Sequence, residues 1–313
     1  MRPFPIHRVD SSQAEASEPL GSKPKFWFRE GNRRLLFKAD DRGTGEDWAE
    51  VIACHLCELL GIPHVEYELA QEFDEDKPVR PGVICENMAS SGVYLALGNE
   101  MLLSIDRQYP TQQRFKVRQH TVEAVASVVS GLQPPTPNWA TNIPSEMKSA
   151  LDVFVGYVML DAWIANQDRH HENWGALLPL HQQRVVLQLY LAPTFDHGAG
   201  LGRNLADAER KERLSTKDRN RTVAAFAEHG RSAFYRTGTD TRSMGTLEAF
   251  LAFGDRSPTA KQSWLDRLLA VNPVDVSSIL ERVPPERMSP VCKEFTLALL
   301  DENRRRLLET GNT

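Results

Sequence analysis

The chain is poor in cysteine, with four among 313 residues. Only Cys54 and Cys57 form a C-x-x-C pair, and Cys85 and Cys292 stand alone. A zinc module needs a second such pair or histidines at ligand spacing. Cys54 and Cys57 also fall within a predicted helix, where they read as core thiols rather than as a metal or redox pair. So few thiols and no export signal predict a reducing, cytoplasmic setting. Long hydrophobic runs are absent as well: no stretch reaches about 18 consecutive apolar residues, which argues against a membrane-spanning helix. Nor is positive charge in excess. Lys and Arg number 37 against 42 Asp and Glu, a net charge of −5, whereas nucleic-acid binders rely on clustered cations. Direct nucleic-acid binding is not expected.

What is present fits a soluble globular chain large enough for two lobes, with 41% apolar and 25% charged residues. Residues 1–20 have no long apolar core and read as a flexible tail or an edge element. Alternating runs over Phe26–Glu30 and Arg34–Ala39, around the turn G-N-R, predict a hairpin. Further strands are expected near Val65–Ala70 and Gly82–Glu86. Between them, Trp48, Val51, Ile52, Leu56, Leu59 and Leu60 recur at helical spacing, and Gly61 with Pro63 marks the helix end. Beyond about residue 90 the chain turns helix-rich. Helices are predicted over Thr111–Val129, Ala150–Ala165, Met244–Phe253, Lys261–Ala270, Val274–Arg282 and Val291–Glu309, the last capped by Ser289 with Pro290 in its first turn. Ala150–Ala165 is almost wholly apolar apart from Asp152 and Asp161, as befits a buried central helix.

The chemistry concentrates in N-Q-D-R-H-H-E-N-W at 166–174 and F-D-H-G at 195–198. Phosphoryl transfer needs a group that orients a hydroxyl nucleophile and oxygen ligands that hold Mg²⁺ over the phosphates. Asp168 suits the first task; the Asn173 amide, five residues on, and the Asp196 carboxylate suit the second. The interval is the D-x-x-x-x-N of a kinase catalytic loop. Between the motifs, W-G-A-L-L-P-L and V-V-L-Q-L-Y-L-A-P predict a hairpin that returns Asp196 beside Asn173, with Gly198 permitting the following turn. Lys38, near the end of its strand, is the cation for the phosphates. Glu50, off the apolar stripe of the next helix, is its candidate partner. His170 is expected to brace the catalytic loop. Glu86, Asn87 and Met88 fall where a kinase hinge offers backbone groups to adenine.

Together G-S-K-P-K-F, L-L-F-K, A-E-V-I-A, G-V-I-C-E-N-M, D-A-W-I-A-N-Q-D-R-H-H-E-N-W-G and L-A-P-T-F-D-H-G resemble the HipA-like serine/threonine kinases, the toxin-related branch of the protein-kinase-like superfamily. The resemblance runs from about Gly21 to the C-terminal helices. It implies an α+β, two-lobed fold, with a small β-rich N-lobe over 21–90 and a larger helical C-lobe over 91–313. It implies ATP and Mg²⁺ as cofactors, a protein substrate and, in many members, a small antitoxin partner. By that resemblance Asp168 is the catalytic aspartate, Asn173 and Asp196 the metal ligands and Lys38 the phosphate-binding lysine, while Gly21 and Ser22 belong to the loop over the nucleotide. Two departures stand out: that loop holds one glycine rather than a G-x-G-x-x-G run, and some 20 residues precede it in place of the usual N-terminal subdomain.

Alternatives remain at this level. A small-molecule or lipid kinase would use the same ATP site, and a nucleotide-binding interaction module would bind without turnover. A metal hydrolase built on His170, His171 and Glu172, with His197 as a third histidine ligand, lacks the H-E-x-x-H spacing and leaves Lys38 and Asn173 without roles. Residues 203–222 carry dense charge of both signs, in which Arg203, Lys211 and Arg213 either meet an acidic substrate or a phosphate or lie on a solvated helix with i,i+4 pairs.

Overall fold

The structure, a computed structural model, describes residues 2–17, 24–40, 42–89, 92–140, 142–180 and 188–312. Gly21 and Ser22, and residues 181–187 within the hairpin expected between the two motifs, lie outside the described residues.

The first lobe is a six-stranded sheet. In chain order the strands are β1 (Ile6–Asp10), β2 (Ala16–Ser17), β3 (Lys25–Glu30), β4 (Arg33–Ala39), β5 (Tyr67–Asp74) and β6 (Lys77–Glu86), arranged β1-β5-β6-β4-β3-β2. All pairings are antiparallel except that of β1 with β5. Within the described residues 2–17 the chain forms an edge element, with β1 paired to β5. Val9 is buried, and the Phe4 ring stacks on His55 at 4.7 Å. That apolar burial and the ladder to β5 offset the entropy of ordering the segment.

Helix α1 (Glu46–Leu60) lies on the sheet. Its start is capped by Asp40, whose carboxylate accepts from the Thr44, Gly45 and Glu46 amides at 3.1, 2.7 and 3.1 Å. These are amides that a helix leaves without intrahelical partners. Gly61, at φ +75°, ends the helix in the left-handed conformation open to a residue without Cβ.

The second lobe opens with β7 (Val93–Leu97), which pairs with β8 (Gly175–Pro179) and through it with β9 (Tyr190–Leu191). Its helices are α2 (Gly98–Ile105), α3 (Val122–Ser130), α4 (Ala150–Trp163), α5 (Asp207–Ser215), α6 (Val223–Glu228), α7 (Thr246–Gly254), α8 (Pro258–Ala270), α9 (Pro273–Glu281) and α10 (Pro290–Glu309). Ser149 and Asp152 form a reciprocal capping box at the start of α4. Apolar on every side, α4 is buried among α7, α8 and α10. The Ser289 hydroxyl caps α10 by accepting from the Cys292 amide at 3.1 Å.

One helix differs from expectation. Of Thr111–Val129 only the part from Val122 is helical, with Thr121 as its cap. Residues 111–120 follow an irregular path in which Lys116 takes a φ of +57°, drawn out by contacts of Tyr109 and Arg114 to the two histidines after Asp168.

Candidate active site

The site forms where three segments meet beneath β4: the end of α4, the 166–174 loop, and residues 194–198 returning from β9. Lys38 lies between two carboxylates, its Nζ donating to Glu50 Oε1 at 2.7 Å and to Asp196 Oδ1 at 2.9 Å. Burial alone would lower the ammonium pKa, but Asp196 and Glu50 outweigh it and hold the value well above the ordinary one, so Lys38 stays charged. The Glu50 side chain is 3% exposed and its second oxygen accepts from the His197 amide at 2.7 Å. A single carboxylate on α1 thus fixes both the lysine and the backbone next to Asp196.

Asp196 itself adopts φ +60°, an uncommon conformation for a residue with a side chain. The left-handed turn therefore falls on Asp196, whereas it was expected at Gly198. Gly198 serves a close approach instead: a Cβ there would lie 3.3 Å from the Glu46 carbonyl and 3.4 Å from Glu50 Cγ.

In the 166–174 loop, Asn173 Nδ2 donates to the Asp168 carbonyl at 2.7 Å. That bond commits the nitrogen end and leaves the amide oxygen as the end to offer a cation. Both Asp168 and Asp196 line the polar end of the cleft with Lys25, Lys38, Glu50 and Arg203. The cleft continues into an apolar part under the sheet, bounded by Leu36, Leu95, Leu97 and Phe195. Glu86, Asn87 and Met88 line that part too, with Asn173 and Asp196 at its mouth.

His170 is buried, and burial first and Arg114 second push its pKa down to about 3. Its Nε2 accepts from Arg114 Nε at 2.9 Å and lies 3.8 Å from Asp168 Oδ1. A neutral, enclosed imidazole suits a positioning role, not proton transfer near neutral pH. His171 bonds the Tyr109 hydroxyl at 2.8 Å. Among the described residues these histidines do not gather with a third ligand into a metal-binding group, so the hydrolase geometry is not assembled. All four cysteines are buried free thiols.

Several residues that hold the site went unread in the sequence. Arg169, buried beneath the loop, meets Asp161 of α4 through two contacts of 2.7 Å and donates to the carbonyls of Asn173 and Phe195 at 2.9 and 3.3 Å. One guanidinium thus joins the central helix, the loop and the residue before Asp196. The available signal was Asp161 itself, since a carboxylate in an apolar helix needs a buried partner. Lys25 faces Lys38 across the β3–β4 ladder, and burial, then the Lys38 charge, lowers its pKa. Arg287, ahead of α10, donates to Asp47 Oδ2 at 2.8 Å and to the Ala70 carbonyl at 2.9 Å, tying the second lobe to α1 and β5. In the charged run, Arg213 is committed to Glu209 at 2.8 Å within α5, the solvated-helix alternative. Arg203 reaches Glu46 at 2.6 Å on the cleft wall.

No family model matches the sequence, and no curated protein matches it by sequence. Among solved structures it is similar to the Helicobacter pylori proinflammatory kinase CtkA, with a TM-score of 0.68 and 19% identity over 98% of this chain and 97% of that one. The chain has a kinase-like fold. It is also similar to a structure of the Shewanella oneidensis toxin–antitoxin system of HipA, HipB and operator DNA, at a TM-score of 0.55 and 10% identity, covering 94% of this chain and 65% of that one. The kinase-like fold consists here of a β-rich first lobe and a larger helical second lobe, with the Lys38 and Asp168 cleft between them. Among the described residues no helix is long and apolar enough to cross a membrane.

Proposed function

We propose that the chain is an ATP- and Mg²⁺-dependent cytoplasmic kinase that transfers phosphate to serine or threonine of a protein substrate. The observation that carries this is the convergence of Lys38, Glu50 and Asp196 at 2.7 and 2.9 Å, beside an Asn173 whose amide is oriented by the Asp168 carbonyl. The donor set fits the cofactors: a carboxylate and an amide oxygen are the hard ligands that Mg²⁺ takes, and the apolar pocket beside them suits a nucleobase. Asn173 and Asp196 would hold the metal. Mg²⁺ bound there would neutralise charge on the phosphates. Lys38, kept cationic by its two carboxylates, binds phosphate oxygens, and Glu50 fixes its position. Glu86, Asn87 and Met88 would border the base; the assignment of Gly21 and Ser22 to the nucleotide loop rests on the resemblance alone. Asp168 orients the acceptor hydroxyl and takes its proton, while His170 and Arg169 hold the loop in place. The likeness to the HipA and HipB structure supports an antitoxin-like protein partner as the regulator, testable by co-purification.

The experiment is Mg²⁺-dependent transfer of labelled γ-phosphate from ATP to proteins of a cell lysate, comparing wild type with Asp168→Ala. A labelled band lost in the variant is expected. Tight ATP binding without any labelled product would overturn the proposal in favour of a non-catalytic module, and label confined to small molecules would shift the acceptor class.

A further inference from the structure

Asp168 stands where two depressions meet. On one side is the polar end of the nucleotide cleft, and on the other a groove bounded by Arg114, Phe115, Lys116, Gln167, Tyr235 and Ser243. Both walls of the groove are built rather than loose. The 114–117 wall is held by Arg114 on His170 and by Phe115, whose ring stands edge-on to His170 at 5.5 Å. The opposite wall is a closed ribbon: the Ser232 amide donates to the Met244 carbonyl and the Met244 amide to the Phe234 carbonyl, each at 2.8 Å. Its tip is fixed by Asp240, which accepts from the Thr237 amide at 2.9 Å. The walls are joined where the Tyr235 amide donates to the His120 carbonyl at 3.0 Å and the Val122 amide to the Tyr235 carbonyl at 3.1 Å.

The rim has a distinct chemistry. Phe115 is 57% exposed, a large aromatic facing solvent beside the loop that carries Asp168. Lys116 lines the groove and is exposed, as are Arg118 beside it and Arg236 and Arg242 in the segment of the opposite wall, next to the lining residues Tyr235 and Ser243. In a chain of net charge −5, Lys116 on the groove lining and the exposed cations on the two segments that form its walls suit an anionic partner.

We propose that this groove is the acceptor site and that it takes an extended segment of another protein whose serine or threonine is flanked by aspartate or glutamate. The inference rests on the kinase reading above and specifies its substrate. An open groove with exposed cations and an exposed aromatic at its rim fits a chain laid across the surface, whereas a metabolite is usually enclosed. Arg114 lines both depressions and so sits at their junction. In the reaction the acceptor oxygen bonds to the γ-phosphorus of ATP as the bond from that phosphorus to the β,γ-bridging oxygen breaks. The electron pair leaves on ADP, and the hydroxyl proton passes to the Asp168 carboxylate.

The test compares phosphate transfer from ATP to serine peptides flanked by Glu, Ala or Lys, using the full chain and its R236E/R242E variant. Wild type is expected to favour Glu-flanked over Lys-flanked peptides by at least about tenfold in kcat/KM, and the variant to lose or reverse that preference with the KM for ATP unchanged. Equal use of the three peptides, or a preference the variant leaves intact, overturns the inference. Asp168-dependent ATP turnover with no peptide labelled overturns it while sparing the kinase reading; loss of all Asp168-dependent turnover removes both. Fluorescence anisotropy with a Glu-rich peptide and a single-stranded RNA of equal length gives a readout independent of catalysis. Tighter binding of the RNA, abolished in the variant, would reassign the groove to nucleic acid.

Discussion

Removing the Arg169 guanidinium tests how the site is supported. Arg169 and Asp161 side chains are 1% and 4% exposed and meet through two contacts of 2.7 Å. Taking away one partner of such a buried pair leaves the other charge uncompensated and costs about 3–5 kcal/mol. In Arg169→Met the stranded charge is Asp161, and the Asn173 and Phe195 carbonyls also lose their donor. We expect a fall of about 3–5 kcal/mol in unfolding free energy, read from urea melts. At roughly 1.5 °C per kcal/mol for a chain of 313 residues, from an unfolding entropy of about 2.1 cal/mol/K per residue, the thermal midpoint should drop by about 5–8 °C. Asp161→Leu alone should be similarly costly. Joining it to Arg169→Met removes both charges, so the double variant should be more stable than the sum of the single losses predicts. The reasoning fails if Arg169→Met stays within about 1 kcal/mol of wild type, or if the two losses simply add.

Three other outcomes follow from the same geometry. Glu50→Gln releases one side of Lys38 and should lower phosphoryl transfer by about 10²-fold with the fold intact, checked by turnover and circular dichroism; undiminished transfer would remove Glu50 from the site. Burial first holds His120 and His170 near a pKa of about 3, and burial first and Arg169 second hold His197 well below the ordinary value. Each folded-state value lies below the unfolded one, so their stability contribution is present above about pH 6.5 and falls as the unfolded chain takes up protons. The slope is about 1.4 kcal/mol per pH unit for each histidine. His64 and His171, likewise lowered first by burial, act in the same sense, whereas Asp47, raised to about 6 by burial, and Glu50 and Asp301, also raised first by burial, act in the opposite one, so the lowered histidines outnumber the raised carboxyls. Urea midpoints should therefore drop between pH 7.5 and 5.0, and equal midpoints would contradict the burial of these rings. Finally, Gly156→Ala on α4 would set a Cβ 2.5 Å from the Trp264 indole. It should cost about 1–3 kcal/mol by overpacking, seen as a lower thermal midpoint; no change would mean that α8 yields freely.

Much of the frame is readable locally. The hairpin β3–β4, helix α1 and the helices from Thr246 onward follow from apolar period, caps and breakers that act within a few residues, and their ends fall within a few residues of the expected ones. The segment before α3 was not readable in this way. Residues 111–120 have helix-compatible composition, yet their path is set by bonds from Tyr109 and Arg114 to histidines more than 50 positions away. Residues 6–10 read only as part of a flexible tail or edge element, because they depend on β5 for pairing and on His55 for the burial of the neighbouring Phe4.

By itself the sequence determined which groups are available and how they are spaced along each element: Asp168 and Asn173 five positions apart on one loop, Asp196 in D-H-G, Lys38 at a strand end and Glu50 on the following helix. Spacing along a chain is enforced by covalent geometry, so a motif of that kind can be read without a fold. Only the tertiary structure decided that Lys38 Nζ lies 2.9 Å from a carboxylate 158 positions away, that Arg169 locks the loop to α4, and that the 114–117 and 232–243 segments form one groove beside Asp168. Those contacts are made by packing and buried charge pairing between distant segments. Their energies appear only once water is excluded and both partners are present, and no local pattern encodes that condition.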